Sequence, residues 1–543
     1  ADAWTAYNAY LRIRPNDAQA WTNCGIVASE LRRSDEALRC FERAARLDGS
    51  DADIWNNKGN VLFEQKRFKE AAESYETALK LAPDLPFAEG FLMQSRLRCC
   101  DWSHLAEDRR KVAQGLRDGR QIVDPLSQMV VSTSPQEEIL CARIWIADGF
   151  PAVQPPLWRG EIYRHEKIRV AYLSADFRPH PVAFLIAGVL EQHDKTQFET
   201  IGVSFGVPGE SGIRSRIARS FDTFIDARDK SDAEVASLLR RMEIDIAVDL
   251  MGFTDGCRTG IFAFRPAPVQ VNYLGYPGTM GAGYMDYLMA DRVLIPKREE
   301  DFYAEKIVTL PDTYQANDSK RAIAERTPTC REAGLPETGF VFCCFNNSFK
   351  ILPEMFGLWM RLLTQIEGSV LWLLEDNAIV AGNLRREAAS RGVVPERLVF
   401  APRLPHAEHL ARHRLADVFL DTLPYNAHTT ASDALWAGLP IVTCPGPTFA
   451  SRVAASLLTA AGLTETITPT LDAYEALALK LAREPSTLTE LKEKLARGRE
   501  TCALFDTARM TRHLESAYRT MRERQRRGEP ARAFQVAAIP GSP

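Results

Sequence analysis

Apolar positions near the front of the chain recur with a helical period and, on top of it, with a longer one. Trp21, Gly25, Ala37, Phe41, Ala44 and Leu47 return as Trp55, Gly59, Ala71, Tyr75, Ala78 and Leu81, each 34 residues on. Tyr7, Ile13 and Pro15 fit the second half of a preceding copy, and Pro83 closes the last copy as Pro15 closes the first. A 34-residue period with these residue types predicts tetratricopeptide helix pairs. Gly25 and Gly59 let the helices of a pair approach closely, while Ala37, Ala44 and their counterparts pack small against Trp and Phe or Tyr. Stacked repeats need a cap. Asp84 to Gly160 is therefore expected to continue in helices, Leu140 to Phe150 among them, before Pro151, Pro155 and Pro156 mark a linker. The chain starts at Ala1, without Met, inside a predicted helix, so the count of repeats is expected to be a minimum.

The pattern changes at Lys167. Short β-branched runs (Ile168 to Ser174, Phe198 to Ser204, Ile244 to Leu250, Val269 to Tyr273) alternate with helical segments. A second set (Phe340 to Phe345, Val370 to Leu374, Leu398 to Ala401, Val418 to Asp421, Ile441 to Cys444) follows the polar stretch Gln315 to Gly339. Such alternation predicts parallel sheets. The expected fold class is α/β with an all-α N-terminal part. Its parts are tetratricopeptide repeats over 1–84, a helical linker or cap over 85–160, a Rossmann-like lobe over 161–315, an inter-lobe segment over 316–338, a second Rossmann-like lobe over 339–527 and a tail over 528–543. Arg519 to Arg527 reads as a solvated helix end and the tail as loose unless it docks on the lobes.

Length and composition narrow the setting. At 543 residues the chain exceeds one core, and about three domains fit it. With 45% hydrophobic and 25% charged residues and a net charge of -4, the balance points to no nucleic-acid and no membrane partner. Eleven cysteines without a C-x-x-C pair suggest neither a disulfide framework nor a zinc site. No apolar run reaches the roughly 18 residues that cross a membrane, and the start lacks a signal-peptide layout. A reducing, cytoplasmic location is expected.

In open α/β sheets ligands sit beyond the carboxyl ends of the strands. The segments there are Ser174 to Pro181, Asp249 to Gly252, Leu274 to Thr279, Phe345 to Lys350 and Asp421 to Thr430, all polar, Gly-rich or His-bearing. Asn426 to Asp433, leading into a helix over Ala434 to Ala437, would aim N–H groups and hydroxyls outward as phosphate-binding helix starts do, although the same residues suit a plain helix cap. Lys350 could neutralise a diphosphate or be a solvated lysine. No Asp-x-Asp stands at a strand end of either lobe, so a metal is not the expected partner of that diphosphate. His406, His409 and His413 fall at i, i+3 and i+7 on one predicted helix, open to a metal, a ligand-facing or a structural role. His180, between Pro179 and Pro181, is either rigidly presented at the mouth of the first lobe or a surface residue.

Taken together the motifs resemble the bacterial homologues of O-GlcNAc transferase across nearly the whole chain. The pieces are Asp176-Phe-x-x-His-Pro181, Phe264-Arg-Pro-Ala-Pro-x-Gln270, Leu274-Gly-Tyr-Pro-Gly-Thr279, Phe345-Asn-x-x-x-Lys350, Val370-Leu-Trp-Leu-Leu374, His428-Thr-Thr430, Leu435-Trp-Ala-Gly438 and Ala450-Ser-Arg-Val-Ala-Ala-Ser456. The resemblance implies a GT-B fold whose second lobe binds the donor. It also implies inverting, metal-independent transfer of N-acetylglucosamine from UDP-N-acetylglucosamine to Ser or Thr hydroxyls, with no cofactor and with a protein or peptide acceptor in the repeat groove. By the same resemblance Lys350 contacts the diphosphate, Thr429 and Thr430 donate to it and His428 lies close by. Leu404, Pro405 and His406 line the uracil, His409 and Arg412 lie beside the nucleoside, Asp433 holds the ribose side, Leu274 and Gly275 approach the sugar, and His180 is the proposed general base. The chain departs from the family at Asn347, Tyr425 and Asp245, where Gln, Cys and His are frequent; Asn347 shortens a donor contact. The alternatives are a non-catalytic repeat scaffold with a nucleotide-binding two-lobed domain, or another UDP-sugar enzyme.

Overall fold

A computed structural model describes residues 2–207 and 209–539. Ala1, Pro208 and the last four residues of the expected tail lie outside the described residues. The chain packs as two compact units. One comprises residues 1–131 with 347–353 and 376–387; the other comprises 132–346, 354–375 and 388–543.

The first unit is helical: Asp2–Ile13 (α1), Ala18–Glu30 (α2), Ser34–Leu47 (α3), Ala52–Glu64 (α4), Phe68–Leu81 (α5), Ala88–Leu97 (α6), Leu105–Arg117 (α7) and Pro125–Val131 (α8). The recurring residues explain the pairing of α2 with α3 and of α4 with α5. A Cβ on Gly25 would stand 2.7 Å from the Phe41 ring, and one on Gly59 2.7 Å from Tyr75, so only glycine lets those rings fill the seam. Ala37, Ala44, Ala71 and Ala78 are fully buried around them. Burying each ring contributes roughly 1.5–3 kcal/mol. Arg32 and Lys66, also 34 residues apart, take positive φ in the turns between the paired helices. Trp21 packs half-buried against the same core, as the sequence suggests, and both repeat tryptophans also reach back along the chain. Trp21 donates its indole N–H to Pro15 O (2.9 Å) and Trp55 to Gly49 O (3.1 Å), tying each helix to the turn before it.

Among the described residues of the second unit, thirteen strands form two all-parallel sheets. They are Ile168–Ser174 (β1), Phe198–Ser204 (β2), Thr223–Asp226 (β3), Ile246–Asp249 (β4), Val269–Asn272 (β5), Tyr287–Asp291 (β6), Lys306–Leu310 (β7), Val341–Cys344 (β8), Val370–Leu374 (β9), Leu398–Ala401 (β10), Val418–Leu420 (β11), Ile441–Val442 (β12) and Phe534–Gln535 (β13). The first sheet runs β13-β7-β6-β5-β4-β1-β2-β3, the second β10-β9-β8-β11-β12. In each, the sequence order reverses beside the first strand of the lobe, β1 or β8, which opens a crevice at the carboxyl ends.

Three domain boundaries differ from the expected ones. The cap over 85–160 is divided: α6 to α8 pack with the repeats, whereas Pro135–Gly149 belongs to the second unit, where Gly281, having no Cβ, lets the Ala142 backbone come close. The second lobe does not run to 527. The helix Thr507–Arg526 returns to the first sheet, with Tyr518 Oη 3.2 Å from Tyr172 Oη and Glu515 Oε1 3.1 Å from His193 Nδ1. Its buried face explains why this end is not simply solvated. The tail is also not loose throughout, because Phe534 pairs with Val308 and extends the same sheet. The segment between the lobes is packed as well, with Asp318 and Arg321 buried.

Candidate active site

The tip after β1 presents His180 as the N-cap of Pro181–Gln192, on extended backbone and with Pro at the first helical position. Its Nδ1 lies 3.3 Å from the Val182 N–H and 3.2 Å from Asp176 Oδ2. Asp176 is fixed at the foot of the turn: its N–H donates to Ser174 Oγ (2.9 Å), and Arg178 donates to its Oδ1 (3.0 Å). Burial pushes the Asp176 carboxyl up to about 6 against the pull of Arg178. Burial, helped by Arg178, pushes His180 down to about 4. The imidazole is thus neutral near neutral pH, with its side chain 31% exposed.

The tips after β4 and β5 interlock beside it. A Cβ on Gly275 would meet Leu250 O at 1.9 Å, and one on Gly252, which sits at φ +56, would meet the Tyr276 Cβ at 2.2 Å. Leu274 sits at φ +71, a strained setting for a branched side chain that points to a functional constraint. Asn272 donates to Gly278 O (3.0 Å) and closes the loop.

In the second lobe the tip after β11 folds around Asp421. Its Oδ1 accepts the N–H groups of Thr422 (2.8 Å) and Ala427 (2.6 Å), and its Oδ2 accepts the Thr443 hydroxyl (2.6 Å). This closed turn lets the helix start at Thr429 and run to Trp436, five residues earlier than the expected start at Ala434. His428 caps it, accepting the Ala431 and Ser432 N–H groups on its carbonyl and donating Nε2–H to Ala450 O (3.0 Å). The Thr430 hydroxyl donates to Asn346 Oδ1, and Asn346 Nδ2 donates to Thr422 Oγ1 (2.8 Å). Asn346 therefore ties the tip after β8 to the helix start, a role that the strand-end motifs alone do not assign.

The helix His406–Arg412 follows an exposed Leu404-Pro405 pair, an apolar platform open to a ligand. His406 stacks face to face on Phe184 of the first lobe, with centroids 4.3 Å apart at 7°, and its Nε2 is 3.5 Å from Asp433 Oδ1. Asp433 is buried and takes Arg321 Nη1 at 2.7 Å. Its carboxylate is paired through Oδ1 with the inter-lobe segment. Arg412 is likewise a core residue: 1% exposed, it stacks 4.4 Å over Phe345 and donates to Pro402 O (2.5 Å) and His409 Nδ1 (2.5 Å). It shapes the turn before His406. His413 donates from Nδ1 to His409 O (2.8 Å). Burial holds His409 down to about 2 and His413 down to about 4. The His409 and His413 rings meet edge to face, 4.8 Å between centroids, while His406 stacks on Phe184. Among the described residues no group of three or more His, Cys, Asp or Glu side chains is placed to hold a metal ion.

Asn347 and Lys350 fall in the first unit. Asn347 is exposed; Lys350 is 8% exposed and closes the turn Ser348–Lys350, its N–H on Asn347 O (3.0 Å).

Two doubly wound parallel sheets with polar tips gathered at their strand ends define a GT-B type, two-lobed glycosyltransferase fold. The Glycosyl transferase family 41 model matches residues 156–329 and 323–514, and a tetratricopeptide repeat model matches 24–86. The chain belongs to glycosyl transferase family 41. It is similar to a mutant O-GlcNAc transferase of Thermobaculum terrenum, with a TM-score of 0.73 at 30% identity over 97% of this chain and 94% of that one. A probable UDP-N-acetylglucosamine–peptide N-acetylglucosaminyltransferase of Arabidopsis thaliana is 37% identical over 68% of this chain and 39% of its own length. The UDP-N-acetylglucosamine–peptide N-acetylglucosaminyltransferase of Caenorhabditis elegans is 26% identical over 79% of this chain and 48% of its own. The chain thus spans less than half the length of these curated relatives. No helix among the described residues is long and apolar enough to cross a membrane.

Proposed function

We propose that the chain transfers N-acetylglucosamine from UDP-N-acetylglucosamine to Ser or Thr hydroxyls of proteins, with inversion and without a metal. The observation that carries this reading is the Asp176–His180 pair, a neutral imidazole oriented through Nδ1 at the mouth of the first lobe. Inverting transfer needs a base behind the acceptor hydroxyl and a stabilised diphosphate in front of the anomeric carbon. His180 takes the acceptor proton on Nε2.

The leaving group's charge is met by Lys350 and by the N–H groups and the Thr429 hydroxyl at the helix start, whose first turn leaves donors unsatisfied within the helix. A cation about 4 Å from one unit of charge contributes up to about 4 kcal/mol at an effective dielectric near 20, and about 1.4 kcal/mol is tenfold in rate. Leu404, Pro405 and His406 form the uracil platform, and Leu274 and Gly275 border the sugar. The names of the relatives support this donor, and the repeats supply a groove for an extended protein acceptor. The test is calorimetric binding of UDP and several UDP-sugars. Preference for UDP-N-acetylglucosamine supports the reading; no binding of any of them contradicts it.

A further inference from the structure

We propose that Arg98, at the end of the capping helix α6, is a positioning residue for Lys350, so that the repeat unit sets how that lysine is presented. The inference rests on the diphosphate role of Lys350 given above. The Arg98 guanidinium lies 4.7 Å from the Phe349 ring centroid, 5.2 Å from Phe68 and 5.5 Å from Phe63. It therefore joins the last repeat to the residue immediately before Lys350. A planar cation between ring faces is an orienting contact as well as an attractive one.

The backbone around it is fixed from the same side. Cys100, buried and at φ +51, donates from Sγ to Ser348 O (3.6 Å), and Asn383 Nδ2 donates to Cys99 O (2.8 Å). The Ser348 N–H donates to Asp376 Oδ2 (2.8 Å). Both residues preceding Lys350 in its turn are thus held by the residues just after α6 or by segment 376–387 of the same unit. The two repeat rings are not part of the 34-residue pattern, because Ser29 and Ser34 occupy the equivalent places of Phe63 and Phe68 in the earlier copy. The aromatic setting of Arg98 belongs to this end of the repeats alone.

The test is steady-state kinetics and UDP calorimetry on the full chain carrying Arg98→Ala, Phe349→Leu, Lys350→Ala and the double variant Arg98→Ala with Lys350→Ala. A misplacement of about 1 Å can cost about a hundredfold in rate, so Arg98→Ala and Phe349→Leu are each expected to lower kcat by about ten- to a hundredfold. Residues acting through one group are non-additive. Adding Arg98→Ala to Lys350→Ala should therefore change kcat by less than about twofold.

Arg33→Ala, which removes a cation–ring contact on Trp4 (5.5 Å) in the first repeat, is the control and should leave activity unchanged. If Arg98→Ala fails to fold, Arg98→Lys replaces it and should lie between wild type and Phe349→Leu. The same loss on Arg98→Ala with or without Lys350, or no loss in a folded variant, overturns the inference while leaving the role of Lys350 intact. An unchanged Lys350→Ala overturns both.

Discussion

Asp176 Oδ2 and His180 Nδ1 stand 3.2 Å apart, and the same nitrogen lies 3.3 Å from the Val182 N–H. One nitrogen cannot donate to the carboxylate and accept from the amide together. Ionised Asp176 selects the Nδ1–H tautomer and leaves Nε2 free as a base; protonated Asp176 lets Nδ1 cap the helix and puts the proton on Nε2.

The pH dependence follows. With Asp176 at about 6 and His180 at about 4, both groups are in their working form above pH 6. As pH falls through about 6, Asp176 takes a proton and kcat/KM should fall; His180 protonation adds a steeper loss towards about pH 4. Asp176→Asn should remove the limb near 6 and lower kcat/KM by about a hundred- to ten-thousandfold. The check is the kcat/KM profile of both proteins between about pH 4.5 and about pH 8, which brackets the shifted carboxyl and the ordinary range of histidine. An acid limb that stays at about 6 in Asp176→Asn contradicts this assignment.

Lys350→Ala should lower turnover at saturating donor on the order of a thousandfold, because charge on the diphosphate develops as the bond breaks. Single-turnover measurements with excess donor separate this from a loss of affinity. Near-normal turnover would remove the lysine from the mechanism.

Gly275→Ala should disable the site through the backbone. The new methyl would stand 1.9 Å from Leu250 O, and no rotamer change relieves a clash with a main-chain oxygen. A cost of about 1–3 kcal/mol or more in stability is expected, with weaker UDP-sugar binding than Gly278→Ala, whose methyl meets only the edge of Tyr276 at 3.0 Å. Urea melts and calorimetry of the two variants check the contrast. Equal behaviour would mean that the two tips are not interlocked in solution.

Asp433→Ala should act on the fold before it acts on the donor. Arg321 and Asp433 form a buried pair at 2.7 Å, and removing one partner of such a pair typically costs about 3–5 kcal/mol. Arg321→Ala should cost as much. If Asp433→Ala keeps wild-type stability in urea and loses only UDP affinity, the residue serves the ribose instead.

The repeats are legible because six positions recur at one spacing and all but Leu47 and Leu81 have a packing or turn-tying reason. The edges of β1, β2, β9 and β10 agree with the hydrophobic runs residue for residue. Four strands escape the pattern. Tyr287–Asp291 carries no β-branched residue, Thr223–Asp226 is a half-exposed edge, Phe534–Gln535 is too short to show a period, and Lys306–Leu310 holds a β-branched run of only three residues, Ile307-Val-Thr309. Within the site, the strand-end rule finds His180, Gly275 and Thr429. It cannot find Asn346 under Thr430, Phe184 under His406 or Arg321 on Asp433, since these depend on residues 84, 222 and 112 positions apart. Arg412 shows the converse: a motif residue whose side chain is spent inside the lobe.

Sugar transfer from UDP-N-acetylglucosamine is tested by incubating the full chain with labelled donor and a Ser- and Thr-rich protein acceptor in the presence of a chelator. Label on hydroxyl side chains, with release of UDP and loss of the signal in His180→Ala and Lys350→Ala, is the predicted result. An absence of both label and UDP release from folded, UDP-binding protein would contradict it.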